Sequence, residues 1–193
     1  MRQVKTLALM ITLISLTLLC SCRASKSSGQ ELALDIRTML LEADRFDITT
    51  HVSADYGERV YAFTFRYTGG AQDGTLEIMK PESIAGLKAK VSVSGGTLEF
   101  DGAVLDTGAV TKDGLSPAQC IPVLLSQWQS GYMTGCNFEK LGNADTLAVT
   151  TDITEVVSQR TWFDVKTLLP ISAELYDGGV MVLACGFENI IID

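Results

Sequence analysis

Glu58-Arg59-Val60-Tyr61-Ala62-Phe63-Thr64-Phe65-Arg66-Tyr67-Thr68 is the stretch whose reading decides the fold. Successive side chains of a strand point to opposite faces, so Tyr61, Phe63, Phe65 and Tyr67 share one face while Val60, Ala62, Thr64 and Arg66 share the other. Four aromatic rings on one side require a dry surface to cover them, and the opposite side is free to meet water. Gly69-Gly70 follows at once, and glycine tolerates the positive φ that a tight hairpin demands.

The same alternation continues outward from that strand. Leu76 and Ile78, then Ala89, Val91 and Val93, then Leu98 and Phe100 extend the apolar face, with Thr75, Glu77, Lys88, Lys90, Ser92 and Glu99 opposite. Gly95-Gly96, Asp101-Gly102 and Asp177-Gly178 mark turns between such runs. From Asp47 almost to the end, short alternating runs broken by Gly, Asp and Asn describe an antiparallel meander. Its later strands are expected at Met133 to Leu141, Leu147 to Asp152, Arg160 to Asp164, Ile171 to Tyr176 and Val180 to Phe187. Asp164-x-x-Thr167 should close a turn, with Pro170 opening the return strand.

Two segments depart from this period. In Glu31 to Asp44, Leu32, Ile36, Met39, Leu40 and Ala43 are spaced by three and four, which buries one face of a helix. Ser116-Pro117-Ala118-Gln119 reads as a capped turn, followed by a helix from Ile121 to Ser130 that Gly131 ends. Ile121, Leu124, Leu125 and Trp128 form its apolar face. The expected fold class is α+β: one antiparallel sheet with a wet and a dry face, packed on an N-terminal helix and a mid-chain helical insertion.

Residues 1 to 21 read as a signal peptide: Arg2 and Lys5, an apolar run from Thr6 to Leu19, then a small-residue exit. That run is shorter than the roughly 20 residues a helix needs to span hydrocarbon. Leu19-Cys20-Ser21-Cys22 resembles a bacterial lipobox, and small Ser21 before Cys22, against bulky Leu19 before Cys20, selects Cys22 as the lipidated residue. Diacylation at Cys22 would hold the protein stably on the extracytoplasmic side of the cell membrane, since more than one acyl chain is buried. Residues 22 to 30 are expected to be the lipidated N-terminus and a flexible tether, Ser-rich and without periodicity, and residues 31 to 193 the domain.

Charge and missing motifs exclude several functions. The 193 residues carry a net −8, and removal of Arg2 and Lys5 leaves 13 cations against 23 acids, or −10. Such a chain repels a polyanion, so nucleic acid is not an expected partner. His51 is the single histidine, and no G-x-S-x-G elbow, H-E-x-x-H, Walker A loop or G-x-G-x-x-G occurs. Asp101 with Asp106, or Asp113 with Glu99, could be paired as an acid dyad or a calcium site, yet their Gly-rich hairpin contexts read as solvated turns. No enzyme activity, cofactor or metal is expected. Beyond the signal, Cys120, Cys136 and Cys185 allow one bridge plus a free thiol, or three reduced thiols. Cys120 to Cys136 closes the shortest loop, but spacing does not fix a pairing.

The hairpin W-x-D-x-x-T-x-x-P-x-x-x-E from Trp162 to Glu174 follows an N-terminal helix, an aromatic early strand and a mid-chain helix. In this combination the chain resembles the LolA-like lipoprotein-carrier superfamily over most of residues 31 to 190. The resemblance implies a strongly curved sheet, an incomplete barrel around helices, whose concave face receives acyl chains. Tyr61, Phe63, Phe65, Tyr67, Leu76, Ile78, Val91, Val93, Leu98 and Phe100 would line such a face, with Leu125 and Trp128 as its plug. The same residues could equally be a packed core. Lipidated members of this fold also look similar to a clostridial germination lipoprotein that partners a cortex-modifying amidase. An adaptor for an envelope or cortex enzyme therefore stands beside a lipid binder.

Overall fold

A computed structural model describes residues 24–100, 103–108 and 115–193, with side chains described over 29–97 and from 115 onward. The expected signal peptide, Cys22, Asp101, Asp113 and the side chains of Leu98 and Phe100 lie outside the described residues.

The chain runs α1 (Ala24–Glu42), β1 (Phe46–Asp55), β2 (Val60–Gly69), β3 (Asp73–Lys80), a 3-10 turn (Glu82–Ile84), β4 (Lys88–Ser92), β5 (Gly95–Phe100) and β6 (Ala103–Gly108). It continues as α2 (Cys120–Ser130), β7 (Tyr132–Leu141), β8 (Ala144–Asp152), β9 (Val157–Asp164), β10 (Pro170–Asp177) and β11 (Val180–Ile192). All strands belong to one sheet, ordered β6-β5-β4-β3-β2-β1-β11-β10-β9-β8-β7. Two meanders thus meet where β1 pairs antiparallel with β11, from Phe46 opposite Ile192 to Ala54 opposite Leu183. The sheet curves without closing, so β6 and β7 remain edges. The α+β class and the curved, incomplete barrel on two helices are as expected.

Side-chain alternation places the core. On the concave side, Phe46, Ile48 and Val52 of β1, Phe65 and Tyr67 of β2, Leu175 of β10 and Leu183 of β11 are buried. The helices cover them. Ile36 and Leu40 of α1 are buried and Leu32, Met39 and Ala43 pack alongside, while Ile121, Leu124, Leu125 and Trp128 of α2 are all buried. Arg37 of α1 donates from Nε to the Trp128 carbonyl at 3.3 Å and from Nη2 to the Gly131 carbonyl, satisfying the orphan C-terminal carbonyls of α2.

Three expectations shift. The N-terminal helix starts at Ala24, so Ala24 to Gln30, expected as tether, is helical. Gly29 explains part of this: it is buried, and a Cβ there would sit 3.7 Å from both Leu147 and Phe138, so the helix rests on β7 and β8 at that point. The second helix begins at Cys120 despite Pro122, because Pro122 falls in the first turn, where a missing N–H breaks no helical bond. Val93 lies beyond β4 in a turn, 37% exposed, with its N–H bonded to the Gln72 carbonyl. Ser92 closes that turn by donating to the Gly95 carbonyl, ending the alternation that would have carried Val93 inward.

The hairpin around Asp164 forms as read. Asp164 Oδ1 accepts from the backbone N–H of Lys166 (2.9 Å) and Thr167 (2.8 Å) and from Thr167 Oγ1 (3.2 Å), and Pro170 opens β10. These bonds, those of the Thr167 and Lys166 amides foremost, hold the Asp164 carboxyl below its ordinary pKa.

Candidate functional site

The concave face is organised by cross-strand rows. Phe63 pairs with Val52, Val52 with Cys185, Cys185 with Ala173, Ala173 with Thr161, Thr161 with Val149 and Val149 with Cys136. This row crosses seven strands from β2 to β7. The α2 helix lies over it, with Cys120 at one end against Cys185 and Trp128 at the other, where the indole N–H donates to Thr161 Oγ1 at 2.9 Å. Trp128 also meets Phe163 and Phe187 edge-on, at centroid distances of 5.6 and 5.4 Å.

The residues expected to line a cavity divide by depth. Phe65, Tyr67, Leu76, Val91, Leu125 and Trp128 are buried against one another and the helices. The Tyr67 hydroxyl donates to the Gly70 carbonyl at 2.6 Å, and burial raises its pKa. Phe63 and Ile78 are half-buried, with Phe63 stacked on Phe65 at 5.4 Å, and Tyr61, 42% exposed, stands at the rim. The aromatic face is thus dry at the Tyr67 end and open at the Tyr61 end.

A second feature was not foreseen. Between α1 and the edge strand β7 runs a groove of about 640 Å³, lined by Ala33, Leu34, Met133, Cys136 and Phe138 among others. Ligand pockets generally fall at roughly 300–1,000 Å³. Leu34 and Phe138 are 54% and 53% exposed. Ala33 and Met133 also line a separate small gap of about 10 Å³, together with Trp128 and Phe163. Gln127 Oε1, Thr151 Oγ1 and Gln159 Oε1 are buried without a protein hydrogen-bond partner, and all three residues line this gap. The groove is of mixed character, with Leu34 and Phe138 presenting large apolar side chains among polar Gln30, Thr134 and Asn137.

One signal in the sequence could have pointed there. Leu34 falls off the buried face of α1, so its large apolar side chain has no place in the core. Gln159 and Thr151 could not have been found, because only the pairing of β8 with β9 brings them opposite each other.

The convex side holds His51, whose Nδ1 lies 3.1 Å from Thr64 Oγ1 and whose Nε2 lies 3.3 Å from Glu188. Thr64 is buried, so the hydroxyl at the end of this chain is not presented to a substrate. Also convex, Glu139 pairs with Arg160 and accepts from the Trp162 indole at 3.0 Å, with the Arg160 guanidinium 5.0 Å from the Trp162 ring centroid. That network holds the tryptophan of the hairpin motif, itself buried, on the convex side. Among the described residues, no cluster of three or more His, Cys, Asp or Glu is arranged to hold a metal, and no helix is long and apolar enough to cross a membrane.

No family model and no curated protein matches the chain. Solved structures do. A putative outer membrane lipoprotein-sorting protein domain from Vibrio parahaemolyticus matches 86% of this chain and 93% of its own, at 12% identity and a TM-score of 0.51. The LolA superfamily protein NE2245 from Nitrosomonas europaea matches 86% and 93%, at 9% identity and a TM-score of 0.45. A structure of the CwlD amidase from Clostridioides difficile in complex with the GerS lipoprotein matches 89% and 94%, at 14% identity and a TM-score of 0.36. The fold is LolA-like, and at these identities the likeness is one of fold alone.

Proposed function

We propose that this protein is a non-catalytic extracytoplasmic lipoprotein, anchored through diacylated Cys22, that binds a lipid or a lipoprotein acyl chain within its half-barrel. The observation that supports this most directly is the groove between α1 and β7, along which Leu34 and Phe138 expose large apolar side chains. An acyl chain would lie along the exposed Leu34 and Phe138 side chains. The half-open aromatic face at Tyr61 and Phe63 offers a second apolar surface on the concave side.

A fluorescent long-chain fatty acid, titrated into the full chain carrying Cys22→Ala, tests this reading. Saturable uptake is expected, weakened about ten- to hundred-fold by Phe138→Glu, since losing the burial of one such ring costs about 1.5–3 kcal/mol. No saturable uptake by the parent chain would contradict it.

A second reading, an adaptor for an envelope or cortex enzyme, is favoured by one observation. Among the described residues the edge strand β7 has no paired strand on its outer side, and it displays Tyr132 (77% exposed) and Phe138. An edge of this kind can accept a partner's strand. Recovery of one envelope enzyme with the native protein, abolished by a proline within β7, would put this reading first.

A further inference from the structure

We propose that Cys120 and Cys185 are joined by a disulfide that pins the start of α2 to the middle of the sheet. Their sulfurs lie 3.8 Å apart, and both residues are buried. A disulfide needs about 2.05 Å between sulfurs, so the pair must close by about 1.8 Å, and the bond replaces the present contact of Cys120 Sγ with the Pro117 carbonyl at 3.1 Å. Cys120 is the first residue of α2 and Cys185 lies on β11, near the centre of the strand order, so the bond would cross from helix to sheet.

The other pairings are excluded by the row that holds them. Cys136 shares the cross-strand row of Cys185, but β10, β9 and β8 lie between their strands. Four steps at about 4.8 Å place them roughly 19 Å apart along the sheet, far beyond the Cα separation of at most about 7 Å that a disulfide tolerates. Cys120 has its sulfur 3.8 Å from that of Cys185, so it is held at β11 and not at β7, where Cys136 lies. The shortest loop in sequence, Cys120 to Cys136, is not the one that the fold closes.

The bond forms while the chain is still folding. In the folded reduced protein the contact with Cys185, followed by burial, pushes the Cys120 thiol well above its ordinary pKa, which leaves little thiolate for attack. Before burial, one thiol loses its proton and attacks a disulfide oxidant such as oxidised glutathione, releasing one glutathione thiolate. The second thiolate then displaces the other glutathione, so two electrons and two protons leave the protein and two glutathione thiols result. Closure of the core afterwards shields the bond from reductants. The start of α2 would then be fixed over β11, and any opening of the half-barrel to a ligand would occur elsewhere, as at the groove between α1 and β7.

The test is to refold the full chain from denaturant in a glutathione redox buffer, alkylate all free thiols in denaturant without reductant, and map each cysteine by mass spectrometry. The expected result is a Cys120–Cys185 linked peptide, lighter by two hydrogen atoms than the two reduced peptides together, with Cys136 alkylated. In Cys136→Ser the link should persist. Alkylation of Cys120 and Cys185, or a link containing Cys136, overturns the proposal. The same mapping on protein taken from its host separates the pairing from the compartment. A link formed in glutathione but absent in the host protein would overturn the bond as a feature of the cellular protein and would count against export instead of the geometry.

Discussion

Thr161 and Thr50 are both buried threonines on the concave face, yet they stand in opposite energetic positions. Thr161 Oγ1 accepts the Trp128 indole N–H, whereas Thr50 Oγ1 has no protein partner. Thr161→Val leaves a buried donor unsatisfied and should cost about 1–3 kcal/mol, while Thr50→Val removes an unsatisfied hydroxyl and should be neutral or stabilising. Urea unfolding of both variants reads the contrast directly. Asp164 offers a second residue-scale prediction, because its turn bonds favour the ionised carboxylate. A carboxyl with a depressed folded pKa contributes stability that is present above the unfolded value, ordinarily 3.8, and is lost as pH falls through the folded value. Asp164→Ala should therefore lower stability by about 1 kcal/mol at neutral pH, by analogy with a helix cap, and the difference from the parent should shrink below roughly pH 4.

At the scale of elements, α1 carries both the fold and the proposed site, on different faces. Leu40 is buried beneath it and Leu41, the next residue, is exposed. Leu40→Ala should cost about 2–5 kcal/mol and Leu41→Ala less than about 0.5 kcal/mol, measured by denaturant midpoints. Both helix faces and the aromatic strand were legible because each rests on a local period, 3.6 residues or 2, that survives packing. Val93 was not, since the side chain of Ser92, the last residue of β4, closes a turn that ends the strand before Val93. Neither was the helical start at Ala24, whose support comes from Gly29 approaching Leu147 and Phe138, residues more than a hundred positions away. The groove was illegible for the same reason, as it exists only where the first helix meets the seventh strand.

For the whole molecule, the account joins an anchor, a half-barrel and a hydrophobic ligand. The anchor has its own check: Cys22→Ala should move the protein from the membrane fraction to the soluble extracytoplasmic fraction, and Cys20→Ala should leave it attached. Reversal would move the lipidated residue to Cys20 while keeping the lipoprotein class. The strand order, with two meanders joined through β1 and β11, makes one continuous concave surface from β6 to β7. Two helices fill its centre and leave room at the Tyr61 rim and beside β7. The measurement that tests the central claim most directly is native mass spectrometry of the full chain carrying Cys22→Ala, purified from its host without detergent. The account predicts a reproducible mass excess that resolves into acyl species and is lost with Phe138→Glu. A single mass equal to the polypeptide alone would contradict it.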